Sequence, residues 1–254
     1  MSASKLAFVI GGAQKSGTTT LDAIFRRHPA LQMARIKETH FFDDESLDWS
    51  QPDYSRLHRH FDAEDGRLRG EATPITLYWR PAIRRLHAYN PSVKIVLMLR
   101  DPVTRAFANW KKEHAAGLDA MLFEDAIRAY PERVRASAET EGLHRVISYV
   151  ERGFYGSQLA YLARYFPKEN VHCEIYEEFF ADRTAGLERV AGFLGVGPFP
   201  ASIPDLRRHA SKDVAYPSTL RPEDAQDLGR LYRDEIAAVE AFLGRPVPAW
   251  TNRL

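Results

Sequence analysis

The sequence has little of several features that mark special classes of protein. It has one cysteine, Cys173, in 254 residues, which excludes an internal disulfide and a cysteine-rich metal cluster. Its 35 basic and 34 acidic residues leave a formal charge of +1, too little for a general attraction to nucleic acid or membranes. The longest apolar run near the start, 6–10, is too short to cross a membrane. We expect a soluble, cytoplasmic protein with no nucleic-acid or membrane partner.

Alternating apolar and amphipathic segments predict the fold class. Unbroken apolar runs are typical of strands buried on both faces; one at 6–10 and one within 94–99 predict strands, and a third strand is predicted at 171–176. Amphipathic spacing predicts helices at 20–27, 103–116, 156–166, 187–194 and 220–243. Residues 43–69, rich in His, Asp and Arg, indicate irregular surface or a lid. Because no linker or repeat divides the chain, we predict one α/β domain over residues 1–254, a parallel sheet flanked by helices.

The loop after the first predicted strand has the composition of an anion site. Residues 11–19 read Gly-Gly-Ala-Gln-Lys-Ser-Gly-Thr-Thr, and glycines let backbone N–H groups and a helix N-terminus converge on an anion. A plain connecting turn is the alternative. A nucleotide triphosphatase loop would carry lysine where Thr18 stands, whereas Lys15 lies inside the loop. No downstream strand ends in an acidic residue suited to magnesium, so we expect no metal.

Several segments together are similar to one enzyme family. In chain order they are Gln-Lys-Ser-Gly-Thr-Thr at 14–19 with His-Pro at 28–29, Lys-Glu-Thr-His-Phe-Phe at 37–42, Leu-Arg-Asp-Pro-Val-Thr-Arg-Ala-Phe at 99–107, Gly-Phe-Tyr at 153–155 with Gln-Leu at 158–159, and Tyr-Glu-Glu-Phe at 176–179. They resemble sulfotransferases that use 3′-phosphoadenosine 5′-phosphosulfate (PAPS), in particular soluble bacterial relatives of the Golgi heparan-sulfate-type enzymes. The resemblance implies a P-loop-type parallel sheet.

The resemblance implies how the 5′ end of PAPS is held. Lys15, Ser16, Gly17, Thr18 and Thr19 correspond to the loop that binds the 5′-phosphosulfate. Fixed positive charge on Lys15 would stabilise the bridging oxygen as negative charge develops there. The lysine would thus have a catalytic role as well as a binding role.

The 3′-phosphate is expected to meet a second group of residues. Arg100 matches the family's phosphate-binding arginine, and its charged fork suits a dianion; pairing with the next aspartate or a helix end is the alternative. Ala108 stands where a phosphate-binding serine is expected, and Asn109, a loop amide or water is expected to compensate. Lys212 and Tyr216 keep the spacing of the loop that closes over PAPS, although Asp and Val replace its usual Gly and Arg.

The same resemblance implies an acceptor site around Glu38, which it assigns as the general base. The alternative is that Glu38 only forms a surface salt bridge with Lys37. Burial would raise the pKa of Glu38 and nearby lysines would lower it, so the sequence leaves the sign open. His40 titrates near neutral pH and is the second candidate base, or an acceptor contact. Lys37, Phe42 and Glu71 are the other predicted acceptor contacts, although Lys37 alternatively helps to hold the donor phosphate.

These residues predict a bacterial PAPS-dependent sulfotransferase that moves a sulfuryl group to an acceptor hydroxyl, or an amine, by in-line displacement. The products are PAP and a sulfate ester, and the acceptor is a carbohydrate, a lipid or a natural product. Ala72 stands where glycan-modifying Golgi enzymes carry lysine, which weakens a heparan-like acceptor. Two alternatives stay open: a phosphoryl-transfer kinase with an atypical P-loop, and a non-catalytic PAP-binding module.

Overall fold

The computed structural model describes residues 5–137, 142–200 and 215–251. The strands in these ranges are β1 (Phe8–Gly12), β2 (Leu31–Met33), β3 (Leu68–Ala72), β4 (Lys94–Leu99) and β5 (Val171–Ile175). The helices are α1 (Thr18–Phe25), α2 (Ser55–His58), α3 (Arg80–Tyr89), α4 (Pro102–Ala115), α5 (Phe123–Arg128), α6 (Tyr130–Ser137), α7 (Leu143–Ile147), α8 (Tyr155–Leu162), α9 (Tyr176–Ala181), α10 (Arg183–Leu194), α11 (Pro222–Leu243) and α12 (Pro248–Thr251).

The strands form one parallel sheet in the order β2-β3-β1-β4-β5. β1 lies between β3 and β4, with Ile10 opposite both Ala72 and Val96. All five residues of β1 are buried, which explains its continuous apolar run. Because every strand runs the same way, their carboxyl ends share one edge, where open α/β sheets bind ligands.

The α/β fold with a parallel sheet and flanking helices is confirmed, and the predicted strands and helices all exist, most of them with shifted ends. Two strands were not predicted. β2 has only three residues, and β3 reads Leu-Arg-Gly-Glu-Ala, which lacks an apolar run. Arg69 is buried in β3 because its guanidinium donates to Gln32 Oε1 at 2.9 Å and to the Asp62 carbonyl at 2.6 Å. The domain bounds of 1–254 stay a prediction.

The described chain divides into two compact units. The first lies within residues 1–99 and 160–208 and contains the whole sheet. Its core packs α1 and α10 on the sheet through the apolar side chains of Phe8, Ile24, Phe25 and Val190. The Phe8 ring lies so close to Gly70 that a Cβ there would stand 2.0 Å from it, so β3 needs glycine at this point.

The second unit lies within residues 100–159 and 209–254. Trp110, Phe123 and Tyr149 form its aromatic core, and the hydroxyl of the buried Tyr232 donates to the Val150 carbonyl at 2.8 Å. α4 begins on Asp101, whose Oδ1 accepts from the N–H groups of the next turn at 2.8 and 3.0 Å. This cap fixes the start of α4 directly after β4.

The segment 43–69 was expected to be irregular surface or a lid. It is irregular apart from α2 and the start of β3, but its first part is fastened to α3 within the first unit. The Arg85 guanidinium lies 4.3 Å from the Trp49 ring centre and donates to the Phe42 carbonyl and to Glu45 Oε1, both at 3.0 Å. This part of the segment is therefore packed structure rather than a free lid.

No helix in residues 5–137, 142–200 and 215–251 combines the length and the apolar composition that a bilayer crossing requires.

Candidate active site

The loop between β1 and α1 turns tightly through left-handed backbone. Lys15 has a φ of 66° and Gly17 a φ of 83°. The Ser16 N–H donates to the Ala13 carbonyl at 3.3 Å, and Gly17 caps α1 by accepting from the Thr20 N–H at 3.0 Å. The sequence therefore folds here as predicted, a buried strand leading through a tight turn into the N-terminus of a helix.

Gly17 is needed for space as well as for its backbone conformation. A Cβ at this position would lie 3.0 Å from ring atoms of both Tyr176 and Phe180. The two rings stand one turn apart on α9, with centroids 4.6 Å from each other. The aromatic start of the Tyr-Glu-Glu-Phe segment thus supports the loop, a role that the sequence did not reveal.

The loop contains polar groups that suit an anionic ligand. Ser16 is 0% exposed, and its Oγ has no hydrogen-bond partner among the residues that the structure describes. α1 starts without a side-chain cap, although Thr18 and Thr20 are buried in its first turn. A buried hydroxyl without a partner is costly in an empty protein. Together with a helix N-terminus, it fits an oxyanion such as a phosphate or a phosphosulfate.

The strand order brings Glu38 to the same sheet edge as the loop. After β2 the chain passes along the end of β3, where the Ala34 N–H donates to the Gly70 carbonyl and the Glu38 N–H to the Ala72 carbonyl, both at 2.9 Å. β3 pairs with β1, and β1 leads into the loop. Two predicted site segments, far apart in sequence, are therefore held on neighbouring strands.

Glu38 belongs to a chain of charged side chains. The Lys37 ammonium donates to Glu38 Oε1, and His40 Nε2 lies 3.5 Å from Glu38 Oε2. On its other side, His40 Nδ1 lies 2.9 Å from Oδ2 of the buried Asp43. Asp43 was not singled out from the sequence; its position three residues after His40 was the available signal.

These contacts settle the sign of the pKa shift at Glu38. Burial raises this pKa, but the hydrogen bonds of His40 and Lys37 and their charges outweigh it and lower the value to about 2. Hydrogen bonds to Asp43 and Glu38 raise the pKa of His40 to about 9, against the effect of burial. At neutral pH Glu38 is therefore a carboxylate and His40 an imidazolium. Of the two, only Glu38 has a lone pair with which to accept a proton.

Two predicted acceptor contacts are buried. Phe42 is 2% exposed and packs on Phe41 and Tyr89, with ring centres 5.2 and 5.5 Å away. Glu71 is 1% exposed, and burial raises its pKa to about 7. The contacts of Phe42 and Glu71 with an acceptor stay predictions.

The residues expected at the 3′-phosphate belong to the second unit. Arg100 follows β4 directly, and its carbonyl accepts from the Tyr155 hydroxyl at 3.0 Å. Tyr216 is half-buried, with the Lys111 ammonium 5.5 Å from its ring centre. Lys212 lies outside the described residues. The predicted phosphate contacts of Arg100, Lys212 and Tyr216 stay predictions.

Asn109, the expected replacement for the missing serine, is buried in α4. It is 1% exposed, its Nδ2 donates to Glu113 Oε1 at 3.2 Å, and its Oδ1 accepts from Arg105 at 3.4 Å. Both ends of the amide are engaged inside α4, and the contact of Asn109 with the 3′-phosphate stays a prediction.

Among the residues that the structure describes, no three His, Cys, Asp or Glu side chains are arranged to hold a metal ion.

Comparison with known proteins identifies the family of this chain. A family model described as a sulfotransferase domain matches residues 6–215. Human heparan sulfate glucosamine 3-O-sulfotransferase 6 is 31% identical over 196 residues, 74% of this chain and 52% of the relative. The chain thus spans about half the length of the curated relatives it matches. The chain belongs to the sulfotransferase family.

Solved structures agree with this assignment. A sulfotransferase from Alicyclobacillus acidocaldarius superposes with a TM-score of 0.79 at 26% identity, over 98% of this chain and 99% of that one. The mouse sulfotransferase SULT7A1, solved with PAP, has a TM-score of 0.58 at 13% identity, over 95% of this chain and 87% of that one. The second likeness shows the fold alone.

Proposed function

We propose that this protein transfers a sulfuryl group from PAPS to an acceptor hydroxyl by in-line displacement. One observation carries the proposal. The edge of the sheet presents an anion-binding turn at the end of β1 and an ionised carboxylate, Glu38, anchored to the end of the neighbouring β3. Membership of the sulfotransferase family supports the same conclusion.

The 5′ end of PAPS is assigned to the loop. The Ser16 hydroxyl, which is buried without a partner in the described chain, and the backbone at Gly17, Thr18 and Thr19 hold the phosphosulfate. Lys15 supplies the positive charge, and Arg100, Lys212 and Tyr216 are assigned to the 3′-phosphate. No magnesium is required in this scheme, because Lys15 does the work that a metal does for a triphosphate.

When bound, PAPS supplies an activated sulfuryl group with a good leaving group. Glu38 accepts the proton of the acceptor hydroxyl. With a pKa of about 2 it is a weak base, so the proton moves late, when bond formation has made the hydroxyl strongly acidic. His40 and Lys37 hold the carboxylate in place through their hydrogen bonds, and Asp43 fixes the imidazole from the other side. Lys15 stabilises negative charge on the departing side.

The acceptor is proposed as a hydroxyl-bearing carbohydrate, with lipid and natural-product hydroxyls as further candidates. The name of the human relative supports a carbohydrate, since it specifies glucosamine in heparan sulfate. Ala72, however, is 1% exposed within β3 and offers no charge to a sulfated glycan. We therefore propose an acceptor less anionic than heparan sulfate. The bacterial structural relative supports a bacterial source, and we propose a cytoplasmic enzyme with neither nucleic acid nor membranes as partners.

Calorimetric titration with PAP and with ATP, each with and without Mg²⁺, tests the donor. We expect PAP to bind with or without Mg²⁺ and ATP to bind weakly. Tight binding of ATP that needs Mg²⁺ would support the kinase alternative instead. A screen of sugar, lipid and phenolic hydroxyls with ³⁵S-labelled PAPS tests turnover. PAP binding without transfer to any acceptor, and without hydrolysis of PAPS, would leave a binding module.

A further inference from the structure

The turn that carries Glu38 and His40 has an unfavourable backbone. Glu38 has a φ of 61° and His40 a φ of 49°. In this left-handed region the Cβ of an ordinary residue crowds its own backbone, so such residues occur where the surroundings hold them. Two of them within three residues indicate that the turn at 38–40 depends on anchors outside itself.

Two anchors come from the end of β3. The Glu38 N–H donates to the Ala72 carbonyl at 2.9 Å, and the hydroxyl of Thr39, the middle residue of the turn, donates to Glu71 Oε2 at 3.1 Å. β3 is paired with strands on both sides. The anchors therefore belong to an internal strand of the sheet rather than to another loop.

Glu71 is arranged to accept hydrogen bonds. Its side chain is 1% exposed, so little water competes for it. The same Oε2 accepts from the Thr73 hydroxyl at 2.5 Å, and Thr73 is itself fixed because its carbonyl accepts from the Thr76 N–H and hydroxyl at 3.0 and 2.7 Å. Burying a carboxyl group in a strand costs free energy. One of the two threonines that donate to Glu71 is Thr39, at the centre of the turn.

We propose that Glu71 is a positioning residue: through Thr39, its carboxyl holds the turn at 38–40 in the left-handed conformation that sets the Glu38 carboxylate opposite the His40 imidazole. The importance of this pair for turnover rests on the proposed function, but the geometry itself does not. A second reading, in which Glu71 only stabilises β3, predicts lower stability with an unchanged turn.

The test uses the Thr39 pair of variants and a readout that needs no turnover. Thr39→Val removes the hydroxyl and keeps the side-chain shape, whereas Thr39→Ser keeps the hydroxyl. NMR titration follows the His40 imidazole, whose signal is assigned by its loss in His40→Asn. The groups facing this imidazole are Glu38 and Asp43, and both Lys37 and Glu71 add charge nearby.

We expect His40 in the wild type and in Thr39→Ser to titrate at the same raised pKa, about 9. In Thr39→Val this pKa should fall by about one unit or more, because Glu38 no longer faces the ring. Turnover should fall about tenfold or more at unchanged PAP affinity, since misplaced groups slow the chemical step. Thr39→Ser should restore it. Glu71→Gln, which keeps an oxygen acceptor, should resemble the wild type, and Glu71→Leu should resemble Thr39→Val.

An unchanged His40 pKa in Thr39→Val would overturn the positioning role, even if the variant were less stable. If Glu71→Leu does not fold, the Thr39 pair decides the question alone. If the His40 pKa shifts as expected but the wild type sulfates no acceptor, the anchoring by Glu71 stands and the proposed function fails. The two ideas can therefore fail separately.

Discussion

Two regions of the first unit differ in their polar side chains: one contains a buried hydroxyl with no partner among the described residues and the other a chain of charged pairs. In the loop at 13–17, the Ser16 hydroxyl is buried without a partner in the described chain. In the segment 37–43, Lys37, Glu38, His40 and Asp43 pair with one another. A buried hydroxyl without a partner is available to bond to a ligand, whereas paired charged side chains hold one another in place. This difference supports the proposal that the loop binds the donor and that Glu38 in the segment accepts the proton.

The largest expected effect comes from Glu38→Gln, which removes the proposed proton acceptor and leaves the loop at 13–17 unchanged. The amide keeps the shape but cannot accept the proton, so turnover should fall by about 10³-fold. The affinity for PAP should stay within about twofold of the wild type. Labelled-donor assays give turnover and calorimetry gives affinity. Wild-type turnover in this variant would remove Glu38 from the role of base.

Lys15→Met should produce the next largest effect, on the donor side. Loss of the positive charge at the bridging oxygen should lower turnover by about 10²-fold. Lys15→Arg is the matched control, since it keeps a charge and should recover part of the rate. Equal rates in the two variants would mean that Lys15 does not act through its charge.

Ser16→Ala sharpens the comparison, because binding and stability should move in opposite directions. The variant should bind PAP about tenfold more weakly, since one hydrogen bond to an anion is lost. Its free energy of unfolding should not fall, and should rise by up to about 1 kcal/mol, because the hydroxyl has no protein partner to lose. Ser50→Ala, on the exposed surface, should leave PAP affinity unchanged. A drop in stability without a change in affinity would make Ser16 a structural residue.

The smallest effect concerns pH and the His40 pair. The pKa of His40 is raised from 6.5 to about 9, so its ion pairs contribute stability below about pH 6.5 that is lost as pH rises through about 9. The contribution is small, because the imidazole is half exposed and screened. Denaturant unfolding of the wild type and His40→Gln should show a gap in stability that narrows over this range. Turnover of the wild type should decline through the same range, and a gap that widened would contradict the assigned charges.

The parts of the fold that the sequence could predict are those with a strong local pattern. β1 and β4 are continuous apolar runs, and burial on both faces produces that signal directly. β3 could not be found this way. It contains the buried Arg69 and Glu71, which respectively donate a hydrogen bond to Gln32 and accept one from Thr39 in a distant segment.

The candidate site divides in the same manner. Lys15 and Glu38 could be proposed from the sequence because their motifs are continuous, and their roles stay predictions. The support that Tyr176 gives Gly17, and the anchoring of Thr39 by Glu71, are contacts between segments distant in the chain. Local spacing carries no record of such contacts. The charge state of Glu38 could not be predicted from the sequence either, since it depends on the balance of burial against two specific hydrogen bonds.

The approach of Tyr176 and Phe180 to Gly17 has a consequence for protein engineering. The turn is shaped jointly by its own glycine and by a helix from the far end of the sheet. Grafting residues 13–19 alone onto another α/β scaffold would leave out the aromatic rings that pack against the turn. A design that reuses this turn must include α9 as well, or supply two aromatic rings in its place.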